Sequence, residues 1–311
     1  MKTLKVFALI LILLLAVLFV FMQNEEKSPA SKKPIVGVTT FALYDMTKHI
    51  AGNTMTVVNI LPFGVDPHGF EPTPRLMTSV EKSSLFIYSG AGLEPWIHGF
   101  TFKHKAINIS KYVKLRKLRA DEIDKDHEHT NEAHHNSVDP HYWLDFNNMK
   151  IAAKVISKEL IALQPKEQAL YIKNRDNYIQ MLEKLDEAYK QRLSHCEEKS
   201  VVVSHNALGY VANRYGFDVE SLTGLSPEAE PSAQAIKRIF QDIHTQGIKT
   251  IFYENFVNDK VTKTIAKDAN ISVDVFQPLG NITADEAREK LTYKDIMLKN
   301  LEKLSKALMC K

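Results

Sequence analysis

Thr54-Met55-Thr56-Val57-Val58-Asn59-Ile60-Leu61 runs directly into Pro62-Phe63-Gly64-Val65-Asp66-Pro67-His68. The first eight residues are rich in β-branched side chains and read as a strand, whereas the next seven hold two prolines and a glycine and read as a turn. His68 therefore falls at the carboxyl end of a strand, which is where open α/β sheets bind their ligands. Upstream, residues 34–40 (PIVGVTT) read as a buried strand, with a helix over 41–51 behind it. Downstream, 73–82 reads as a helix, 84–89 (SLFIYS) as a strand, and 90–96 as a Gly-rich turn leading into a further helix. Strand and helix alternate, and alternation of this kind implies a parallel sheet.

From 147 to 195 glycine is scarce and apolar residues recur near helical spacing. A break at Pro165 leaves a second segment over about 166–193, which at the usual rise per residue is roughly 40 Å long and can serve as a rigid spine. A second αβ pattern follows: strand 200–205 ending at His205, helix 206–215 stopped by Gly216, helix 231–246, strand 250–254, helix 260–268, strand 271–276, and a C-terminal helix from Thr283. The expected organisation is an N-terminal αβ lobe over 34–164, a linking helix over 165–195 and a C-terminal αβ lobe over 196–311. No internal repeat stands out.

Across 311 residues, 40 Lys and Arg face 37 Asp and Glu, a balance that gives no electrostatic case for nucleic acid. The asymmetry is at the start. Residues 1–22 carry Lys2 and Lys5 ahead of an unbroken apolar run, and 23–33 form a polar linker, the pattern of an export signal or an uncleaved anchor. No cysteine follows the run, which argues against lipid attachment. Cys196 and Cys310 either form one disulfide in an oxidising compartment, tying the C-terminal helix to the start of the second lobe, or remain thiols.

The densest histidine stretch runs from Asp124 to Asp145, DKDHEHTNEAHHNSVDPHYWLD. His127, His129, His134 and His135 lie among polar residues with little to bury, which predicts a solvated His-rich loop over 124–138 that can collect divalent metal loosely. His141 differs, because Pro140 restrains its backbone while Trp143 and Leu144 offer surface to pack. Together His68, His141 and His205 supply three neutral nitrogen donors, the set that suits Zn²⁺. Any one of them alone could equally be a core histidine.

Several segments, in order, resemble one family: Asp66-Pro67-His68-Gly69-Phe70-Glu71-Pro72, Gly90-Ala91-Gly92-Leu93-Glu94-Pro95-Trp96, Asp139-Pro140-His141-Tyr142-Trp143, Ser204-His205-Asn206-Ala207 and Leu225-Ser226-Pro227-Glu228. They are similar to hallmark segments of the metal-binding cluster of solute-binding proteins of ABC importers, of the periplasmic ZnuA zinc-binding type. The resemblance implies two αβ lobes joined by one long backbone helix, with metal in the interlobe cleft. It places His68, His141 and His205 on three metal-ligand positions, with histidine at the third favouring zinc over manganese. The cargo would be Zn²⁺, and the partners a membrane permease and its cytoplasmic ATPase. The chain would act as a non-catalytic monomer in the periplasm.

One position departs from the family. The acidic residue often found before Pro-Leu-Gly is Gln277 here, so water, Asp66, Asp274 or Glu254 is left to complete the shell. Glu94-Pro95-Trp96 is expected to serve turn geometry and packing. The rival readings are a manganese or iron component of the same importer class, a surface adhesin on the same fold, and a zinc hydrolase. The hydrolase lacks a His-Glu-x-x-His segment and an evident general base.

Overall fold

A computed structural model of the chain describes residues 33–118, 122, 138–225, 227, 229–255 and 259–311. The leader, the polar linker up to its last residue, and the four histidines of the 124–138 tract lie outside the described residues. Residues 34–311 form one compact unit.

The first half begins with β1 (Ile35–Val38), α1 (Phe41–Ala51), β2 (Thr56–Asn59), α2 (Pro74–Glu81), β3 (Leu85–Tyr88) and β4 (Lys105–Asn108). All pairings in this sheet are parallel, and the strand order is β2-β1-β3-β4. A short antiparallel pair, β5 (Arg116–Lys117) with β6 (Val138–Asp139), follows. Next come α3 (Phe146–Leu163) and α4 (Gln168–Arg192). Asp145 caps α3 by accepting the amide of Asn148 at 2.8 Å, and the helix stops just before Pro165, as the sequence predicts.

The second half contains β7 (Ser200–His205), α5 (Gly209–Tyr215), β8 (Asp218–Thr223), α6 (Ala233–Gln246), β9 (Thr250–Tyr253), α7 (Lys260–Asp268) and β10 (Ser272–Val275). Its sheet is also parallel, in the order β10-β9-β7-β8. Taken from the other edge, that order is second, first, third, fourth, the same as in the first sheet. No internal repeat among the residues signals this repeated wiring.

Several expectations need correction. The helix expected after the Gly-rich turn is a short 3₁₀ helix, Pro95–Gly99. α5 starts at Gly209, three residues later than expected. Strands β4 and β8 were not anticipated. The helix expected from Thr283 is two, α8 (Ala284–Arg288) and α9 (Tyr293–Ala307), each opened by its own capping box, Thr283 with Glu286 and Thr292 with Asp295. Cys196 and Cys310 form a disulfide, so the thiol alternative is set aside.

α4 spans roughly 37 Å at the usual rise per residue, and its buried Tyr171, Tyr178, Leu182, Leu185 and Tyr189 belong to the main core. That core runs from Val36 and Phe41 in the first half, through Trp143 and Met149, to Val201, Phe252 and Leu304. Both sheets thus share one apolar core with the long helices. Parting them would expose that shared surface, at about 25 cal/mol per Å² of apolar area.

Candidate metal centre

The site lies at the carboxyl ends of both sheets. His68 is carried by the loop after β2, His141 by the turn after β6, and His205 is the last residue of β7. His141 and His68 stand on the same local device: Asp-Pro-His occurs at 66–68 and again at 139–141. In each copy the aspartate accepts the backbone N–H of the histidine two residues on, Asp66 Oδ1 at 2.8 Å from His68 N and Asp139 Oδ1 at 2.9 Å from His141 N. Proline fixes the backbone between them, so each turn aims its imidazole with few alternatives.

The three rings meet. His68 Nε2 lies 3.1 Å from His141 Nε2, and His205 Nε2 lies 3.4 Å from the same atom. Among the described residues these three form the one group of nitrogen, sulfur or carboxylate donors clustered closely enough to share an ion. For tetrahedral zinc with Zn–N of 2.0–2.1 Å, the nitrogen edges are about 3.3–3.4 Å. The observed separations bracket that value.

Two carboxylates fix which nitrogen faces inward. His141 Nδ1 donates to Asp139 Oδ1 at 2.8 Å, and His205 Nδ1 pairs with Glu254 Oε1. Both leave Nε2 with its lone pair toward the centre. Asp139 is itself gripped on Oδ2 by Arg116, through Nε at 3.0 Å and Nη2 at 2.9 Å. Burial alone would raise the Asp139 carboxyl, but His141 and Arg116 outweigh it and hold the group below the usual carboxylate range. Burial likewise would lower His205, but the charge of Glu254 prevails and raises it. His68, beside two other imidazoles, is held well below 6.5 by burial first and by its histidine neighbours second.

The cavity among them is lined by Asp66, Pro67, Trp143, Glu254, Gly280 and Asn281 as well as the histidines, and its volume is ≈ 10 Å³. That is room for about one water-sized occupant. Of the residues considered for completing the shell, Asp66 and Glu254 line this cavity. Asp274 does not, and its carboxylate lies 3.1 Å from Lys303 Nζ. Gln277 is buried elsewhere: its Nε2 donates to Glu286 Oε2 at 2.9 Å and its Oε1 accepts the amide of Leu279. Glu254 Oε2 is buried with no hydrogen-bond partner among the described residues.

Glu94 lies apart from the histidines and shapes the turn after β3, accepting from Thr39 Oγ1 at 2.5 Å, Ser89 N at 2.8 Å and Gly90 N at 2.8 Å. The role of Asp139 was missed in the sequence, although its position two residues before a histidine, repeated at Asp66, was a usable signal.

Fold and site together define a class: a two-sheet α/β binding protein with an ion-sized, histidine-lined centre at the meeting point of its halves. The chain belongs to the ZnuA family, zinc-uptake complex component A, periplasmic, whose sequence model matches residues 36–307. The zinc-binding protein AdcA of Streptococcus pyogenes is 32% identical over 310 residues, covering 95% of this chain and 60% of the relative. The high-affinity zinc uptake system protein ZnuA of Bacillus subtilis is 30% identical over 280 residues, 88% of each chain. Among solved structures, the laminin-binding protein Lmb of Streptococcus agalactiae, described as bifunctional with adhesin and metal transporting activity, has a TM-score of 0.79. It is 29% identical over 89% of this chain and 100% of its own. The chain spans about 60% of the length of the AdcA relatives.

Proposed function

We propose that this protein is the extracytoplasmic zinc-binding component of an ABC metal importer. It captures Zn²⁺ as cargo on His68, His141 and His205 and delivers it to a membrane permease driven by a cytoplasmic ATPase. The observation that carries the reading is the convergence of three imidazole donors within 4.8 Å of one another, with Nε2 separations of 3.1 and 3.4 Å to His141 and two rings oriented by buried carboxylates. Asp139 and Glu254 supply negative charge one imidazole away from the ion. The remaining coordination position is left to water or Asp66.

The reading is non-catalytic. A cavity of ≈ 10 Å³ suits an ion and has no space for an organic substrate beside it. The Cys196–Cys310 disulfide agrees with an exported protein, as does the leader pattern. The likeness to Lmb supports a second reading, surface adhesion alongside metal binding, for which metal-independent binding to laminin is the test.

The decisive measurement is metal content and competitive affinity for Zn²⁺ against Mn²⁺, with His68→Ala and His205→Ala alongside. One tight zinc equivalent lost in both variants is the expected result. Preference for manganese or iron would assign the chain to a different cargo, and tight binding indifferent to both substitutions would end the proposal.

A further inference from the structure

The loop that carries His68 is held chiefly from the other half of the chain. After β2 it is met by the segment 278–282, which follows β10. Asn281 Nδ2 donates to Pro62 O at 2.7 Å and to Val65 O at 2.8 Å, and Gly64 N donates to Ile282 O at 2.9 Å. Gly280 packs so closely under Pro67, the residue before His68, that a Cβ there would lie 3.0 Å from Pro67 Cγ.

The clamping segment is itself anchored. Gly280 O accepts Phe41 N at 2.9 Å and Leu279 O accepts Ala42 N at 3.2 Å, which satisfies two of the free amides at the start of α1. Pro278 O accepts Trp143 Nε1 at 2.7 Å, and Trp143 packs its ring on His141. Asn281 is 1% exposed and lines the ion-sized cavity, and both its amide hydrogens and one lone pair of its oxygen are already committed within the protein. Its amide hydrogens go to the two carbonyls, and its Oδ1 accepts Ile282 N at 2.9 Å.

We infer that Asn281 is the positioning residue for His68: by holding two carbonyls of the His68 loop it fixes the first histidine against the other two. The inference rests on the proposed zinc site. It makes the geometry around the ion depend on contact between the halves, because a segment from the second half sets a donor from the first. Loss of that clamp frees His68 while leaving His141 and His205 on their own carboxylates.

The test uses the purified chain, with Zn²⁺ titrated against a chromogenic chelator. Asn281→Ala is expected to weaken zinc binding by about 10- to 100-fold, the range for residues that orient a metal ligand. Asn281→Asp is expected to weaken it as well. An aspartate adds a negative charge close to the ion but sets an acceptor oxygen, in place of the amide NH₂, against two carbonyls, so a purely electrostatic role would instead tighten binding. In a His68→Ala background, Asn281→Ala is expected to cause no further loss, because its effect passes through that histidine. Asn281→Ser, which can keep one donor, carries the same test should the alanine variant fail to fold.

Binding by Asn281→Ala within about twofold of wild type, tighter binding by Asn281→Asp, or full additivity with His68→Ala would overturn the inference. If His68→Ala alone leaves zinc affinity unchanged, the zinc site itself falls and this inference with it.

Discussion

Glu254→Gln tests how the third histidine is tuned. Glu254 is 5% exposed, and its Oε1 pairs with Nδ1 of His205, whose Nε2 faces the centre. Through an imidazole, the carboxylate lies roughly 6–7 Å from an ion at the centre. A unit charge and a divalent ion at that distance interact by about 5 kcal/mol at an effective dielectric of 20, which sets a ceiling. Measured losses for such partners are about 10- to 100-fold in affinity, or about 1.4–2.7 kcal/mol. Glutamine removes the charge and can also donate to Nδ1, which moves the ring proton to Nε2 and blocks the donor atom. Zinc affinity is therefore expected to drop by about 100-fold, the upper end of that range. The assay is chelator competition at pH 7.5, with circular dichroism to confirm the fold. An affinity within about twofold of wild type would refute the claim that Glu254 sets the tautomer and basicity of His205.

Zinc affinity should fall on acidification in an ordered way. His205 has a raised pKa, so protons displace metal there first, and the decline begins above pH 6.5; His68, held well below 6.5, joins only in more acidic solution. Zinc titrations from pH 8 to pH 5 check this, and a flat profile would count against histidine ligation. Reducing the Cys196–Cys310 bridge, which closes a span of 114 residues, should lower unfolding stability by about 2–4 kcal/mol in denaturant titrations. Zinc affinity should be unchanged, since the bridge lies before the start of β7 and the site at its end. Glu94, pushed up to about 7 by burial against its three donors, has a folded pKa above its ordinary 4.5. Its contribution to stability is full below about pH 4.5 and is lost as pH rises through 7, so wild type should lose about 3 kcal/mol relative to Glu94→Gln across that window. Melts of both proteins at pH 4.5 and 8 decide it.

Strand and helix alternation was enough to anticipate two parallel sheets and the long helix, because buried parallel strands are continuous β-branched runs such as Val201-Val202-Val203. It failed where a strand is short and mixed: β4 is Lys-Ala-Ile-Asn, and β8 begins Asp-Val-Glu-Ser, each at an edge of its sheet and opening on an exposed residue. The break between α8 and α9 was missed although Thr292 with Asp295 three residues on is a helix-start signal. At the site, the three histidines could be named because each follows a strand or a proline-braced turn. Glu254 and Asn281 could not be ranked, since their contacts to His205 and to the His68 loop cross 49 and more than 200 residues, and nothing local marks such pairs. Gln277 shows the converse: the missing acid was evident in the sequence, but that its side chain turns away to Glu286 was not.

The repeated strand order bears on how such a protein could be re-engineered. The residues that line the centre sit at or just beyond the carboxyl ends of strands, on the same rim of both halves. On the proposed zinc site, exchanging side chains at positions 68, 141, 205 and 254 is expected to alter metal preference while the strand pairing upstream of that rim stays in place.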